Sequence, residues 1–180
     1  RSHRVYEFRR VSDGALAAKA ITDWVYINTE NERPAKITPD VIAAFAPDGL
    51  PDAEPPERFP KAAPQPEGVF QLKHRVRWSE IDTVGHVNNA AYLGYCEDAS
   101  TQVGRAFNWP MSHMLDVGFA MIARRYRIIY LQAAQLDDAL TIATWISDGK
   151  RATATRHYEI IRDSDQAVLA RGRALWVCFD

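Results

Sequence analysis

The sequence predicts an α+β fold in which one long helix packs against an antiparallel set of strands. Three observations point there. Arg75, Val76, Arg77 and Trp78 alternate polar and apolar, as a half-buried strand does. Tyr92, Cys96, Ala99, Val103 and Phe107 then recur at the helical period. Residues 119–130 and 140–146 and the two arms of a later hairpin are rich in strand-favouring side chains. The order is a strand, a helix, then four strands.

The chain opens on a segment that it repeats near its end. Arg4, Tyr6, Glu7, Arg10, Ser12, Asp13, Ala15, Ala18, Trp24 and Val25 recur without a gap 152 positions later, from Arg156 to Val177. Composition alone gives about two coincidences in such a window. Each copy reads as a hairpin: an alternating strand, a turn at Ser12-Asp13-Gly14 or Ser164-Asp165-Gln166, and a second strand ending in Trp-Val. Thr38-Pro39-Asp40 ahead of an apolar turn supplies an N-cap and a proline at the first helical position. Seven of the ten prolines fall between Pro47 and Pro66, which marks a stiff linker running extended over the surface. The expected organisation is residues 1–45 as the last part of one unit, 46–68 as linker and 69–180 as a second unit. Asn108-Trp109-Pro110 stops the long helix, because proline cannot continue its hydrogen-bond ladder. Residues 111–118 read as a mobile connection, and 132–138 as a polar turn between strands.

The chemistry gathers at the joint between the first strand of the second unit and its helix. There Asp82, His86, Asn88 and Asn89 meet at one corner. An asparagine near the helix start can accept from the free N–H groups of the first turn. The remaining donors at Asn88, Asn89 or Ala90, with the positive end of the helix dipole, suit a carbonyl oxygen that gains negative charge during acyl transfer. A carboxylate beside such a hole can activate water or attack the acyl carbon itself. Each residue also has an ordinary reading: Asp82 caps a turn, Gly85 permits a bend, His86 is a packed histidine and the asparagines only begin a helix.

The run Arg77-Trp-Ser-Glu-Ile-Asp-Thr-Val-Gly-His-Val-Asn-Asn-Ala-Ala-Tyr-Leu93 resembles the signature of hotdog-fold thioesterases, of the 4-hydroxybenzoyl-CoA and acyl-ACP (acyl carrier protein) thioesterase types. The resemblance implies an antiparallel sheet wrapped round one long helix, with a second, partial hotdog unit at the N-terminus. It implies hydrolysis of an acyl thioester carried on coenzyme A or acyl carrier protein, in fatty acid metabolism. It assigns Asp82 as base or nucleophile and His86 as the histidine of an Asp-x-Asn-x-His pattern, and it puts Asn89 where some relatives carry a histidine. Val84 stands in place of that pattern's asparagine, and Ile129, aligned through Tyr126, in place of a downstream glutamate, so the site is the simpler one of Asp82, His86 and the helix N-terminus. Tyr92, Tyr95 and Val103 are expected to line an acyl tunnel. Arg125 and Arg127, with Arg124 beside them, are candidates for the phosphates of the acyl carrier, and Glu97 is a further candidate acid.

Net charge is −1, which argues against binding nucleic acid by phosphate neutralisation. No stretch of about eighteen apolar residues offers a membrane span. Cys96 and Cys178 read as packed thiols, and His74, His113 and His157 as strand or loop residues without metal-ligand spacing, so no metal or cofactor is expected. A cytoplasmic homo-oligomer or tandem pseudo-dimer is the expected state. Two other classes share the fold. A hotdog dehydratase would continue Gly85-His86 with Phe-Pro rather than Val-Asn-Asn, and an acyl-CoA sensor would keep the tunnel and lose the acid.

Overall fold

The computed structural model describes residues 2–28, 30–31, 33–49 and 57–179, and divides the chain into two compact units at Glu57/Arg58. Positions 50–56 of the expected linker lie outside the described residues.

In the N-terminal unit, β1 (Ser2–Arg9) and β2 (Leu16–Trp24) form an antiparallel hairpin, followed by the short helix α1 (Pro39–Phe45). Thr38 has the extended backbone of an N-cap and a proline follows it, as the sequence predicts, although its hydroxyl makes no capping bond.

The C-terminal unit is a five-stranded antiparallel sheet with one long helix. Its elements are β3 (Phe70–Arg75), α2 (Asn89–Ala106), α3 (Met111–Asp116), β4 (Ala120–Tyr130), β5 (Ala139–Ser147), β6 (Thr153–Arg162) and β7 (Val168–Phe179). The strands lie in the order β3-β5-β6-β7-β4. Register aligns Leu72, Ile142, Ile160, Ala170 and Tyr130 in one row across the sheet. The apolar stripe of α2 (Tyr92, Tyr95, Cys96 and Ala99) packs into a core with Leu140, Ile142, Tyr158 and Ile160. Small residues on β7 let the helix come close. A Cβ added at Gly172 would lie 3.1 Å from the Tyr158 ring and 3.5 Å from Cys96 Sγ.

The helix ends where expected. Asn108 takes φ +61, and the Trp109 and Asn108 N–H groups donate back to Gly104 O and Arg105 O, closing a Schellman motif. The expected mobile connection at 111–118 is corrected: residues Met111–Asp116 are helical. Pro110 starts this turn, Met114 N–H donates to Pro110 O, and Phe119 N–H returns to Met114 O.

The end of the proline-rich run belongs to the C-terminal unit. Trp145 Nε1 donates to Ala63 O at 3.2 Å, and Gln65 Nε2 to Glu159 Oε2 at 2.8 Å, so this strap rests on the sheet face opposite α2. Beneath it His157 is 2% exposed, stacked on Trp145 and bonded to Ser147 Oγ. Burial, reinforced by the Arg173 guanidinium, holds His157 below the ordinary histidine range.

The sequence repeat is also a repeat of structure. Ser2↔Trp24 and Phe8↔Ala18 in β1–β2 become Ala154↔Trp176 and Ile160↔Ala170 in β6–β7, and both hairpins carry their irregularity at the equivalent step, Phe8/Arg9 and Ile160/Ile161. The turns match bond for bond. Arg10 grips both oxygens of Asp13 and Arg162 both oxygens of Asp165, while Ala15 N–H and Ala167 N–H donate to those same aspartates. Gly14 and Gln166 both sit at positive φ. One difference explains an orphan: Trp24 Nε1 donates to Thr22 Oγ1, whereas Ala174 stands at the equivalent of Thr22 and leaves Trp176 Nε1 buried without a partner among the described residues.

Candidate active site

β3 runs into a 3₁₀ turn (Trp78–Glu80), whose last residue anchors everything that follows. Glu80 Oε2 accepts from Arg77 N–H at 2.8 Å and Tyr95 O–H at 2.9 Å, and lies 3.0 Å from His74 Nε2. Its side chain is only 17% exposed. Burial raises the carboxyl pKa, but the bonds from Arg77, His74 and Tyr95 outweigh it and leave the group below its ordinary value. The Glu80 main chain works as well, since its carbonyl accepts from Asn88 N–H at 2.8 Å. The end of β3 is thereby tied to the start of α2.

Between those anchors the chain makes a miniature hairpin. Ile81 and Val87 form a bridge, and Asp82 N–H donates to His86 O at 2.8 Å. Gly85 N–H donates to Asp82 O, and Gly85 sits at φ +82, as a type I turn followed by a left-handed residue requires. Asp82 Oδ1 accepts from Val84 N–H at 2.9 Å, an Asx turn. Among the described residues Oδ2 receives no hydrogen bond. The ordinary reading of Asp82 and Gly85 therefore holds, and it leaves half of the carboxylate open. Gly85→Ala should cost roughly 1–2 kcal/mol of stability, the penalty of a Cβ in the left-handed region. A thermal melt checks this, and an unchanged midpoint would contradict it.

The helix begins as the sequence predicts, at Asn88. Its Oδ1 accepts from Ala90 N–H at 2.9 Å and its carbonyl from Ala91 N–H. This narrows the expected set of donors: Asn88 N–H is committed to Glu80 and Ala90 N–H to the cap. Among the described residues, only the Asn89 N–H of these three is left without an acceptor in the chain.

The model of the thioesterase-like superfamily matches residues 76–180, more than half of the chain. This chain belongs to that superfamily. The acyl-CoA thioesterase YbgC of Haemophilus influenzae is 30% identical over 112 residues, covering 62% of this chain and 81% of that protein. The long-chain acyl-CoA thioesterase FadM of Escherichia coli is 27% identical over 114 residues, covering 62% and 83%. Among solved structures, Slr0204 of Synechocystis, a 1,4-dihydroxy-2-naphthoyl-CoA thioesterase, matches with a TM-score of 0.59 at 23% identity over 62% of this chain and 82% of that one. The five-stranded antiparallel sheet with its helix is the hotdog fold, and the enzyme class expected from the sequence is the one this family carries.

The remaining site candidates of this thioesterase-like unit divide in two. His86 and Asn89 are exposed at the corner, and among the described residues the His86 ring bonds to no protein group. His86 joins the group through its main chain instead, its N–H donating to Asp82 Oδ1 at 3.4 Å and its carbonyl accepting from Asp82 N–H. Tyr92 and Tyr95 are core residues, 2% and 5% exposed, and their hydroxyls are committed, Tyr92 accepting from Ala134 N–H and Tyr95 donating to Glu80. Both belong to the buried core cluster. Val103 is half-buried on α2. Arg125 is exposed and Arg127 half-buried on β4, while Arg124 is the extra residue of a bulge. Glu97 accepts a short hydrogen bond from Tyr126 O–H across α2 and β4.

Sequence reasoning missed Glu80, His74 and Tyr130. Tyr130 O–H donates to Asn89 O at 2.9 Å, fixing the first turn of α2 from β4. Burial, with Cys96 nearby, pushes its pKa up to about 12, so it stays a donor at neutral pH. Only the alternation of β3, which puts His74 on the inner face, hinted at the Glu80 network. No group of three metal-ligating side chains occurs among the described residues, and no helix is long and apolar enough to cross a membrane.

Two of the depressed pKa values, those of His157 and Glu80, give this unit a definite acid response between pH 8 and 4. An unfolded chain takes up protons at His157 near 6.5 and at Glu80 near 4.5, before the folded protein does. Stability is therefore complete above pH 6.5, falls as pH drops below it, and falls again below about 4.5. Unfolding midpoints between pH 8 and 4 should show both declines, and His157→Gln should remove the upper one. A flat profile would contradict the assignment.

Proposed function

We propose that this chain hydrolyses acyl-CoA thioesters at the corner formed by Asp82, His86, Asn88 and Asn89. One observation carries the reading. Asp82 spends Oδ1 on the turn and keeps Oδ2 open, a few residues ahead of the uncommitted Asn89 N–H at the start of a helix. The thioester carbonyl oxygen accepts from Asn89 N–H, where the helix dipole favours the growing negative charge. Asp82 Oδ2 takes a proton from water as the water oxygen attacks the acyl carbon. The C–S bond then breaks, the acyl group leaves as the acid and the sulfur departs as thiol after receiving that proton. In the nucleophilic variant of the mechanism, Oδ2 attacks the acyl carbon and the C–S bond breaks to release thiolate; water then hydrolyses the resulting anhydride to the free acid and Asp82, and the proton released goes to the thiolate. Asn88 fixes the cap, and His86 stands opposite Asp82 on the hairpin, at the rim where the thiol leaves.

Coenzyme A rather than acyl carrier protein is favoured by the names of the relatives, which are acyl-CoA thioesterases. Arg125 and Arg127 are the proposed phosphate contacts, with the acyl tail against Val103. Replacing both arginines by glutamine should raise KM for acyl-CoA by about tenfold, worth ~1.4 kcal/mol. KM for a short thioester without the nucleotide should stay the same, and equal effects on both would remove the arginines from the reading.

Thiol release from a panel of acyl-CoA and acyl-carrier substrates, with Asp82→Asn as control, tests the function itself. Release from CoA thioesters that disappears in the variant supports it. Tight binding with no release would make the protein a sensor, and hydration of an enoyl thioester would make it a dehydratase. Release from carrier substrates alone would replace coenzyme A.

A further inference from the structure

The hairpin β1–β2 duplicates β6–β7, but only one of the two has its inner face covered. In β6–β7 the face holding Arg156, Tyr158, Ile160, Ala170, Gly172 and Ala174 is buried under α2. Cys96 of that helix sits over Gly172, and Ser100 bonds Tyr158 Oη at 2.8 Å. The same face of β1–β2 carries Arg4, Tyr6, Phe8, Ala18, Ala20 and Thr22. The small residues that admit a helix are kept, with Ala18 and Ala20 standing where Ala170 and Gly172 do. So is the tyrosine, while phenylalanine replaces Ile160. Yet Phe8 is 55% exposed and Trp24, at the equivalent of Trp176, is 54% exposed.

We infer that this face of β1–β2 is the seat of an amphipathic helix of the α2 type, so that Ser2–Trp24 is the closing hairpin of a second hotdog unit. The occupant is argued from the duplicate, in which a helix lies on these very register positions. α1 does not serve, because its seven residues bury none of their side chains. Chain order argues for the source. In the C-terminal unit the covering helix precedes its hairpin on the same polypeptide, and a repeat in the same order puts the counterpart upstream of β1. The exposure agrees with this, since Phe8 and Trp24 are large apolar side chains on this face left more than half open to solvent.

The test is solvent access by face, made on the product of the complete reading frame. In a background with Cys96 and Cys178 replaced by alanine, single cysteines are placed at Ala18 on the inner face and Lys19 on the outer face, and labelled with a thiol reagent in native buffer. Ala18→Cys should react at least tenfold more slowly than Lys19→Cys, and dilution should leave the difference unchanged. Equal rates would overturn the inference. Protection that vanishes on dilution would overturn the same-chain source and put the helix on another molecule. Hydroxyl-radical footprinting of the unaltered protein reads the same face without substitution. Tyr6 and Phe8 should be protected relative to Trp78, which is 77% exposed, and equal oxidation would again overturn it. None of these readouts depends on thioester hydrolysis.

Discussion

Asp82→Asn should lower kcat for acyl-CoA hydrolysis by about 100-fold or more, the range expected for a positioned acid or base, while KM and thermal stability barely move. The asparagine keeps an Oδ1 that can accept from Val84 N–H, so the Asx turn survives and with it the small hairpin that presents the residue. What is lost is the basic oxygen at the open position. Steady-state kinetics beside a thermal melt separate the two. A variant that retains a third of the wild-type kcat would end the proposal that this carboxylate does the chemistry.

Glu80→Ala should be the most damaging single change at this corner for stability. One carboxylate oxygen gathers the Arg77 N–H, the Tyr95 hydroxyl and the His74 ring, and Tyr95 is itself 5% exposed. Deleting the acceptor leaves these donors unpaired, at roughly 1–3 kcal/mol for each one that water does not reach. A net loss of about 3 kcal/mol follows, read as a drop of roughly 10 °C in the melting midpoint. Glu80→Gln, which keeps an acceptor oxygen and gives up the charge, should recover about half of it. Activity should fall with the alanine even under conditions where the protein is folded, because Asn88 and the hairpin hang from the same turn. A loss below 1 kcal/mol would mean that the network is ornamental.

The sequence made the backbone frame legible for simple reasons. Period decided the helix and strands, Asn88 announced the helix start, and Asn108-Trp109-Pro110 its end. The duplicated hairpin was readable because residue identity repeats, not just pattern, and its register and turn contacts repeat with it. Short connections were harder. Met111–Asp116 lies between a proline and a glycine, and whether such a stretch coils or turns helical depends on whether it can fold back on its neighbours, as Met114 does near Gly104. The roles of Tyr92 and Tyr95 were unreadable for a related reason. A tyrosine at a helical period can line a channel or close a core, and only the partners of its hydroxyl decide. Glu80 was invisible because its three donors come from positions 74, 77 and 95, which nothing in the sequence links.

The split duty of Asp82 has an evolutionary corollary. Shape at this corner asks only for an oxygen that can accept from the turn, whereas the proposed chemistry asks for a charge, so the two demands can be met or dropped independently. Under the proposed mechanism, one amide-for-acid exchange would silence hydrolysis and keep the turn intact. Conversion from a degrading protein to one that merely reports on its ligand is thus a single, structurally silent step away.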